Sequence, residues 1–285
     1  MSPVGDASHS QLLMASSQPR VYLQVKRLVQ DLIGIYRVCG ATVAFRWIYQ
    51  VVMHFSEIRH SGNLSAADLA MGVGPFAIHV EPCRFKVTGP GAFGGIREMY
   101  IRNVYLSGGY LTIAPDSVVL DLGANMGNFS NLALAHSPAV KVIAVEPNKD
   151  WNESFCTSLS LNGWLDRAHL IRAFVGGETA KQAAVAEDAA FRGVNYLTEA
   201  DLIRVGEFTR IDFLKCDIEG SEFELLKPGS QLLDMTQQIA IEIHAFAGRV
   251  DEFLEMLRWE GFMLGPIKRD PDGTCTVLAK KRAPA

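Results

Sequence analysis

Cysteine is sparse and scattered along this chain of 285 residues: Cys39, Cys83, Cys156, Cys216 and Cys275 stand far apart, and no Cys-x-x-Cys pair occurs. That spacing makes a poor disulfide framework and a poor zinc site, and it fits a reducing compartment. The first residues lack a basic stretch followed by an apolar core, so no secretory signal is read and a cytoplasmic location is expected. No long hydrophobic run is present either. The most apolar stretch, 38–55, is interrupted by Arg46 and Gln50 and reads as a buried or interfacial helix, not a membrane span. Basic residues are not in excess: 27 Lys and Arg against 31 Asp and Glu leave a net charge of -4. With no Lys/Arg run, nucleic acid is not an expected partner. Internal repeats are also missing.

What is present is the composition of an ordinary globular protein, 48% hydrophobic and 20% charged. The length suits one large α/β domain with an accessory segment. Residues 1–19, rich in Ser, Gln, Pro and Gly, read as a mobile tail. Over 20–75 the pattern is helical, with Val21, Val25, Leu28, Leu32 and Ile35 on one stripe and Ile48, Val51, Val52 and Phe55 on a second. Arg20, Lys26, Arg27, Arg37, Arg46 and Arg59 outnumber Asp31 and Glu57 there. The segment is expected to be a lid or interface packed on the main domain, with peripheral contact to an anionic membrane as the other reading.

Residues 76–112 read as a short β lead-in, with strands in 76–87 and a flexible glycine turn at 89–95. From Ser117 onward strand-like and helix-like runs alternate, which implies a mostly parallel sheet with helices on both faces. Phe262-Met263-Leu264 and 274–279, across a Pro271-Asp272-Gly273 turn, suggest a closing antiparallel pair. Ser221 and Glu224 have the spacing of a capping box.

The strongest signal is Val118-Val119-Leu120-Asp121-Leu122-Gly123-Ala124-Asn125-Met126-Gly127, a buried strand running into a tight glycine loop before a helix. Gly123 and Gly127 let backbone and ligand approach where a β-carbon would intrude. Dinucleotide folds use Gly-x-Gly-x-x-Gly to hold a pyrophosphate. Here the spacing is Gly-x-x-x-Gly, and Asp121 sits where a diphosphate would meet a carboxylate. S-adenosylmethionine, with an ammonium, a sulfonium and a ribose but no phosphate, suits such a loop. Glu146, 25 positions after Asp121 and at the end of Lys141-Val142-Ile143-Ala144-Val145, is placed to accept from ribose hydroxyls.

These residues resemble the FkbM-type methyltransferases, a class I, Rossmann-like family. The resemblance rests on Asp121-Leu-Gly-Ala-Asn-Met-Gly127, Ile143-Ala-Val-Glu-Pro147, Leu214-Lys-Cys-Asp-Ile-Glu-Gly-Ser-Glu222 and Ile241-Glu-Ile-His244, with Gly95-Ile-Arg-Glu-Met-Tyr100 and Tyr110 as lead-in. It covers about 95–265, and 176–207 matches poorly. The implied fold is α/β, Rossmann-like and doubly wound: a mostly parallel seven-stranded sheet with an antiparallel C-terminal hairpin, preceded by the helical segment. The implied activity is S-adenosylmethionine-dependent methyl transfer to a hydroxyl, on a sugar, glycan-linked or secondary-metabolite acceptor. Two other functions stay open: a catalytically silent binding subunit and a dinucleotide-dependent oxidoreductase.

The cofactor-binding candidates are Asp121, Gly123, Ala124, Asn125, Gly127, Glu146, Pro147, Phe174, Val175 and Asp217, with Phe174 and Val175 as an apolar wall at the end of the third strand. Asp217 and Glu219 end the fourth strand, Glu242 and His244 the fifth, so these groups converge where the acceptor would lie. His244, then Asp217 and Glu242, are the catalytic candidates, because a hydroxyl loses a proton during transfer. Mg²⁺ held by Asp217, Glu219 and Glu242 is the competing use of the same groups. Glu98 and Tyr110 are weaker candidates for the cleft. Trp151, Phe155 and Leu159, four residues apart, read as helix core.

Overall fold

A computed structural model describes residues 20–185 and 187–282. The tail at 1–19 lies outside the described residues. Four helices come first: α1 (Arg20–Cys39), α2 (Ala41–Met53), α3 (Phe55–Ser61) and α4 (Ser65–Ala70). A hairpin, β1 (Phe76–Val80) and β2 (Cys83–Val87), follows. The stretch expected to be a flexible turn at 89–95 instead enters α5 (Ala92–Ile96), which continues into a π turn, Arg97–Ile101. Ala92 and Phe93 are buried there, and that burial overrides the weak helix propensity of the two glycines.

The main domain then runs β3 (Val118–Leu122), α6 (Asn128–His136), β4 (Lys141–Val145), α7 (Lys149–Asn162) and β5 (Ala168–Ile171). Next come β6 (Ala173–Val175), α8 (Ala180–Val185), β7 (Asn195–Leu197), α9 (Glu199–Gly206) and β8 (Phe213–Cys216). The chain closes with α10 (Glu222–Leu225), α11 (Gln231–Met235), β9 (Gln238–Ile243), α12 (Val250–Trp259), β10 (Phe262–Arg269) and β11 (Cys275–Lys281).

Seven strands form one sheet in the order β10-β11-β9-β8-β3-β4-β5. β11 is antiparallel to both its neighbours, while β3, β4, β5, β8 and β9 pair in parallel. The expected Rossmann-like sheet with its C-terminal hairpin is what forms. Central strands are apolar throughout because both faces are covered: on β3, Leu120 and Leu122 face one core and Val119 the other.

Two local expectations fail. Phe174 and Val175 lie on β6, which leaves the main sheet after β5 and pairs with β7 in a separate parallel ladder. Ser221 makes no cap: its hydroxyl donates to Gly177 O and accepts from Gln182 Nε2, and Glu224 pairs with Lys227. The helix there is one turn long and too short to need the box.

The N-terminal helices share a core with the hairpin and α5, built on Ile35, Trp47, Met71, Phe76, Phe85, Phe93 and Ile96. Its polar centre is an ion-pair cluster. Arg97 reaches Asp31 (2.7 Å) and Asp68 (2.5 Å), Arg102 reaches Asp31 (2.7 Å), and Trp47 Nε1 donates to Asp68 (3.0 Å). α2 leaves Phe45, Tyr49 and Val52 exposed on its outer stripe. Among the described residues no helix is long and apolar enough to cross a membrane.

Candidate active site

The loop 123–127 is shaped by steric demand at its two glycines. Gly123 has φ +71°, and a Cβ there would stand 1.8 Å from the main-chain oxygen of Asp217. Gly127 has φ +76°, and its Cβ would enter the Phe155 ring at 2.0 Å. Both conformations and both close approaches require glycine. The loop is pinned to the next strand because Gly123 N and Ala124 N both donate to Val145 O (3.0 Å).

Glu146 follows β4 at once and is almost fully buried, 3% exposed. Its carboxylate accepts from Asn125 N and Asn148 N, each at 2.8 Å. Burial pushes its pKa up to about 7, even though the two backbone donors favour the charged form.

A cavity of about 250 Å³ opens outside the C-terminal ends of β3, β4 and β8. Gly123, Asn125, Glu146 and Pro147 line one side, Asp217 and Glu219 another. Its apolar wall is Trp151, Phe174, Val175, Val185 and Phe191, with Phe174 stacked between Phe191 (centroids 5.8 Å apart) and Tyr196 (5.0 Å). A second cavity of about 140 Å³ continues past Gly123, Asn125 and Asp217, and is walled by Glu98, Ala124, Asn128 and Lys215.

Two expected cofactor residues are not at the surface of either cavity. Asp121 is fully buried one residue inside β3, where Ser130 Oγ donates to it (2.6 Å) and Lys215 Nζ stands 3.2 Å away. It ties β3 to α6 and β8 and lines neither cavity, because the strand pleat turns it inward. Gly127 serves the turn into α6. Tyr110 also points elsewhere, donating to Met263 O (3.1 Å), whereas Glu98 does line the smaller cavity. Trp151, expected in the helix core, faces the larger cavity instead. Only Phe155 and Leu159 of that stripe are core, because Trp151 lies in the first turn of α7, beside the loop.

At the far edge the acidic groups gather around His244, which is 7% exposed. Its Nδ1 lies 3.1 Å from Glu222 Oε1, and the same carboxylate accepts His244 N (2.6 Å) and Gly220 N (2.8 Å). His244 Nε2 faces Glu219 at 3.4 Å and Asp217 at 3.8 Å. Burial opposes the charged imidazole, but the Glu222 bond and the Asp217 and Glu219 charges outweigh it and raise its pKa. Glu242 lines neither cavity, and burial and the Asp217 charge push its pKa up to about 7.

Among the described residues, the three-residue set able to hold a metal ion is Asp217, Glu219 and His244; Glu242, expected as a ligand, is not in it. Glu242 lies two residues before His244, within β9, whereas His244 follows the end of the strand at Ile243. Sequence reading missed Glu222, Lys215 and Tyr105, whose hydroxyl approaches Asp217 at 3.4 Å. Glu222 and Lys215 stand inside the quoted 214–222 block, but nothing in a linear motif shows which partner each buried charge takes.

Residues 121–262 match the model of the methyltransferase FkbM domain. This chain contains an FkbM methyltransferase domain. The resemblance read from the sequence is borne out over those residues. A curated relative, the AMB antimetabolite synthetase AmbE of Pseudomonas aeruginosa, is 28% identical over 228 aligned residues, covering 61% of this chain. The chain spans only 11% of that relative's length. Solved structures with a similar fold include a precorrin-6y C5,15-methyltransferase from Geobacter metallireducens (15% identity, TM-score 0.37, covering 59% of this chain and 81% of that one). Another is fibrillarin from Aeropyrum pernix with natively bound S-adenosyl-L-methionine (14% identity, TM-score 0.38, 62% and 73%).

Proposed function

We propose that this protein transfers the methyl group of S-adenosylmethionine to a hydroxyl oxygen of a small acceptor of the sugar, glycan-linked or secondary-metabolite class. The observation that carries the reading is Glu146, a buried carboxylate beside the glycine loop of an FkbM domain, at the base of a cavity with an aromatic wall. The residues fit the donor's chemistry. Trp151, Phe174 and Phe191 would hold the adenine, and Glu146 would accept from the ribose hydroxyls. Gly123 leaves room for the chain to pass into the smaller cavity, where Glu98 and Asp217 would meet the ammonium. A diphosphate would meet Glu146, Asp217 and Glu219 instead of unpaired backbone donors, which counts against a dinucleotide.

The donor, when bound, supplies an activated sulfonium methyl. The protein's own task is then alignment of the acceptor oxygen and exclusion of water. Asp217 lines the cavity that the acceptor would enter, His244 stands 3.8 Å behind it and Glu242 feels the charge of both, and these are the groups to orient the hydroxyl and receive its proton.

Calorimetry with S-adenosylmethionine against NAD tests the donor assignment: binding of the first alone is expected, and binding of NAD in its place would overturn it. Transfer of labelled methyl to hydroxylated acceptors, with amine analogues in parallel, tests the acceptor atom. Label on the amines alone would move the proposal to N-methylation.

A further inference from the structure

We infer that Asp217, Glu219 and His244 bind one divalent transition-metal ion, of the Mn²⁺ or Zn²⁺ type, at the acceptor edge of the larger cavity. The ion's task rests on the methyltransferase reading, but the site itself rests on geometry. One ligand atom from each residue lies within 4.8 Å of the other two. A tetrahedral ion with bonds of about 2.0–2.1 Å holds its donors about 3.3–3.4 Å apart. His244 Nε2 is 3.4 Å from Glu219 and 3.8 Å from Asp217, and the two carboxylates lie within 4.8 Å of each other, so side-chain shifts of about an ångström or less per carboxylate would bring three ligands onto one ion.

The second observation is Glu222. Metal-bound histidines hand their other ring nitrogen to a carboxylate, which fixes the ring and makes the ligating nitrogen more basic. Glu222, fully buried, does this to Nδ1 while Gly220 N and His244 N hold it from the main chain. The ring, nine-tenths buried, therefore presents Nε2 to the two carboxylates and has little freedom to turn away.

Charge points the same way. Asp217, Glu219, Glu222 and Glu242 surround one imidazole, and the nearby Lys215 is engaged by Asp121 and by the carbonyls of Leu122 and Gly123. A dication would offset that excess. An imidazole among carboxylates favours a transition ion over Mg²⁺, which prefers oxygen alone. Asp217 and Glu219 both line the larger cavity, and Glu219 is half exposed, so the open coordination position faces the space where a hydroxyl would arrive. An ion there would orient that hydroxyl and make it easier to deprotonate. His244 would then act as a ligand and not as a base.

The test uses the full chain, freed of metal by EDTA and dialysed. Mn²⁺ is titrated by following the loss of its free-ion EPR signal, and Zn²⁺ and Mg²⁺ are titrated by calorimetry. We expect one Mn²⁺ per chain, held at least tenfold more tightly than Mg²⁺, and a tenfold or greater weakening in both H244A and E219Q. E252Q, which changes an exposed acid that pairs with Arg249 and lines neither cavity, should bind as the parent does. E219Q keeps the buried His244–Glu222 pair, so it remains informative if H244A fails to fold. S-adenosylmethionine binding is measured on the same samples: its absence beside normal Mn²⁺ binding would count against the donor reading and leave the ion site standing. No bound Mn²⁺ or Zn²⁺, with or without the donor, or binding unchanged in E219Q, would overturn the inference.

Discussion

A carboxylate held beside an aromatic wall is costly in its charged form, and at Glu146 two backbone donors offset only part of that cost. Its pKa therefore rises from 4.5 to about 7. Because the folded state then binds the proton more tightly than the unfolded chain, stability contributed by this group is full at low pH. It is lost as pH rises from about 4.5 through 7, by about 3 kcal/mol at most. Donor binding has the opposite sign, since ribose hydroxyls need the ionised carboxylate. S-adenosylmethionine affinity should be about tenfold weaker at pH 6 than at pH 8. In E146Q it should be weak and flat across that range. A calorimetric titration of the parent that shows no pH dependence would remove Glu146 from the contact set.

At the scale of elements, the π turn after α5 links the N-terminal layer to the cavities. Arg97 points inward to Asp31 on α1 and Asp68 on α4, while its neighbour Glu98 lines the smaller cavity. Arg97, Asp31 and Asp68 are all more than nine-tenths buried. Removing the cation would leave two buried carboxylates, Asp31 still paired with Arg102 and Asp68 held by the neutral Trp47 Nε1 donor. Breaking a buried pair from one side typically costs about 3–5 kcal/mol. R97A should lower stability by that order in urea denaturation, with Trp47, which packs under the guanidinium at 5.6 Å, reporting the change by fluorescence. A loss below about 1 kcal/mol would mean the cluster is relieved by solvent.

Across the whole molecule, the helices at 20–70 are continuous with the hairpin, α5 and α6 through one apolar core. Their removal would expose Phe76, Phe85, Phe93 and Ile96 together, and burial of such side chains is worth about 1.5–3 kcal/mol each. A chain starting at residue 76 should therefore precipitate, or bind a hydrophobic dye and lose near-UV circular dichroism. If it stayed folded and still bound S-adenosylmethionine, the helices would be a detachable lid.

The sequence by itself determined the layout of strands and helices, the glycine loop, and the position of Glu146. These depend on periodicity and on local steric rules, which act over a few residues and are written in order along the chain. It also placed Asp217, Glu219, Glu242 and His244 at adjacent strand ends. Only the tertiary structure decided what each charge faces. The pleat of β3 turns Asp121 away from the cavity and onto Lys215, one residue separates Glu242 from the position His244 occupies, and Glu222, 22 positions before His244, becomes its closest partner. Spacing in a motif states how far apart two residues are along the chain. A hydrogen bond or a ligand bond is decided within a few ångströms, by the packing of strands and loops that meet only once the chain has folded.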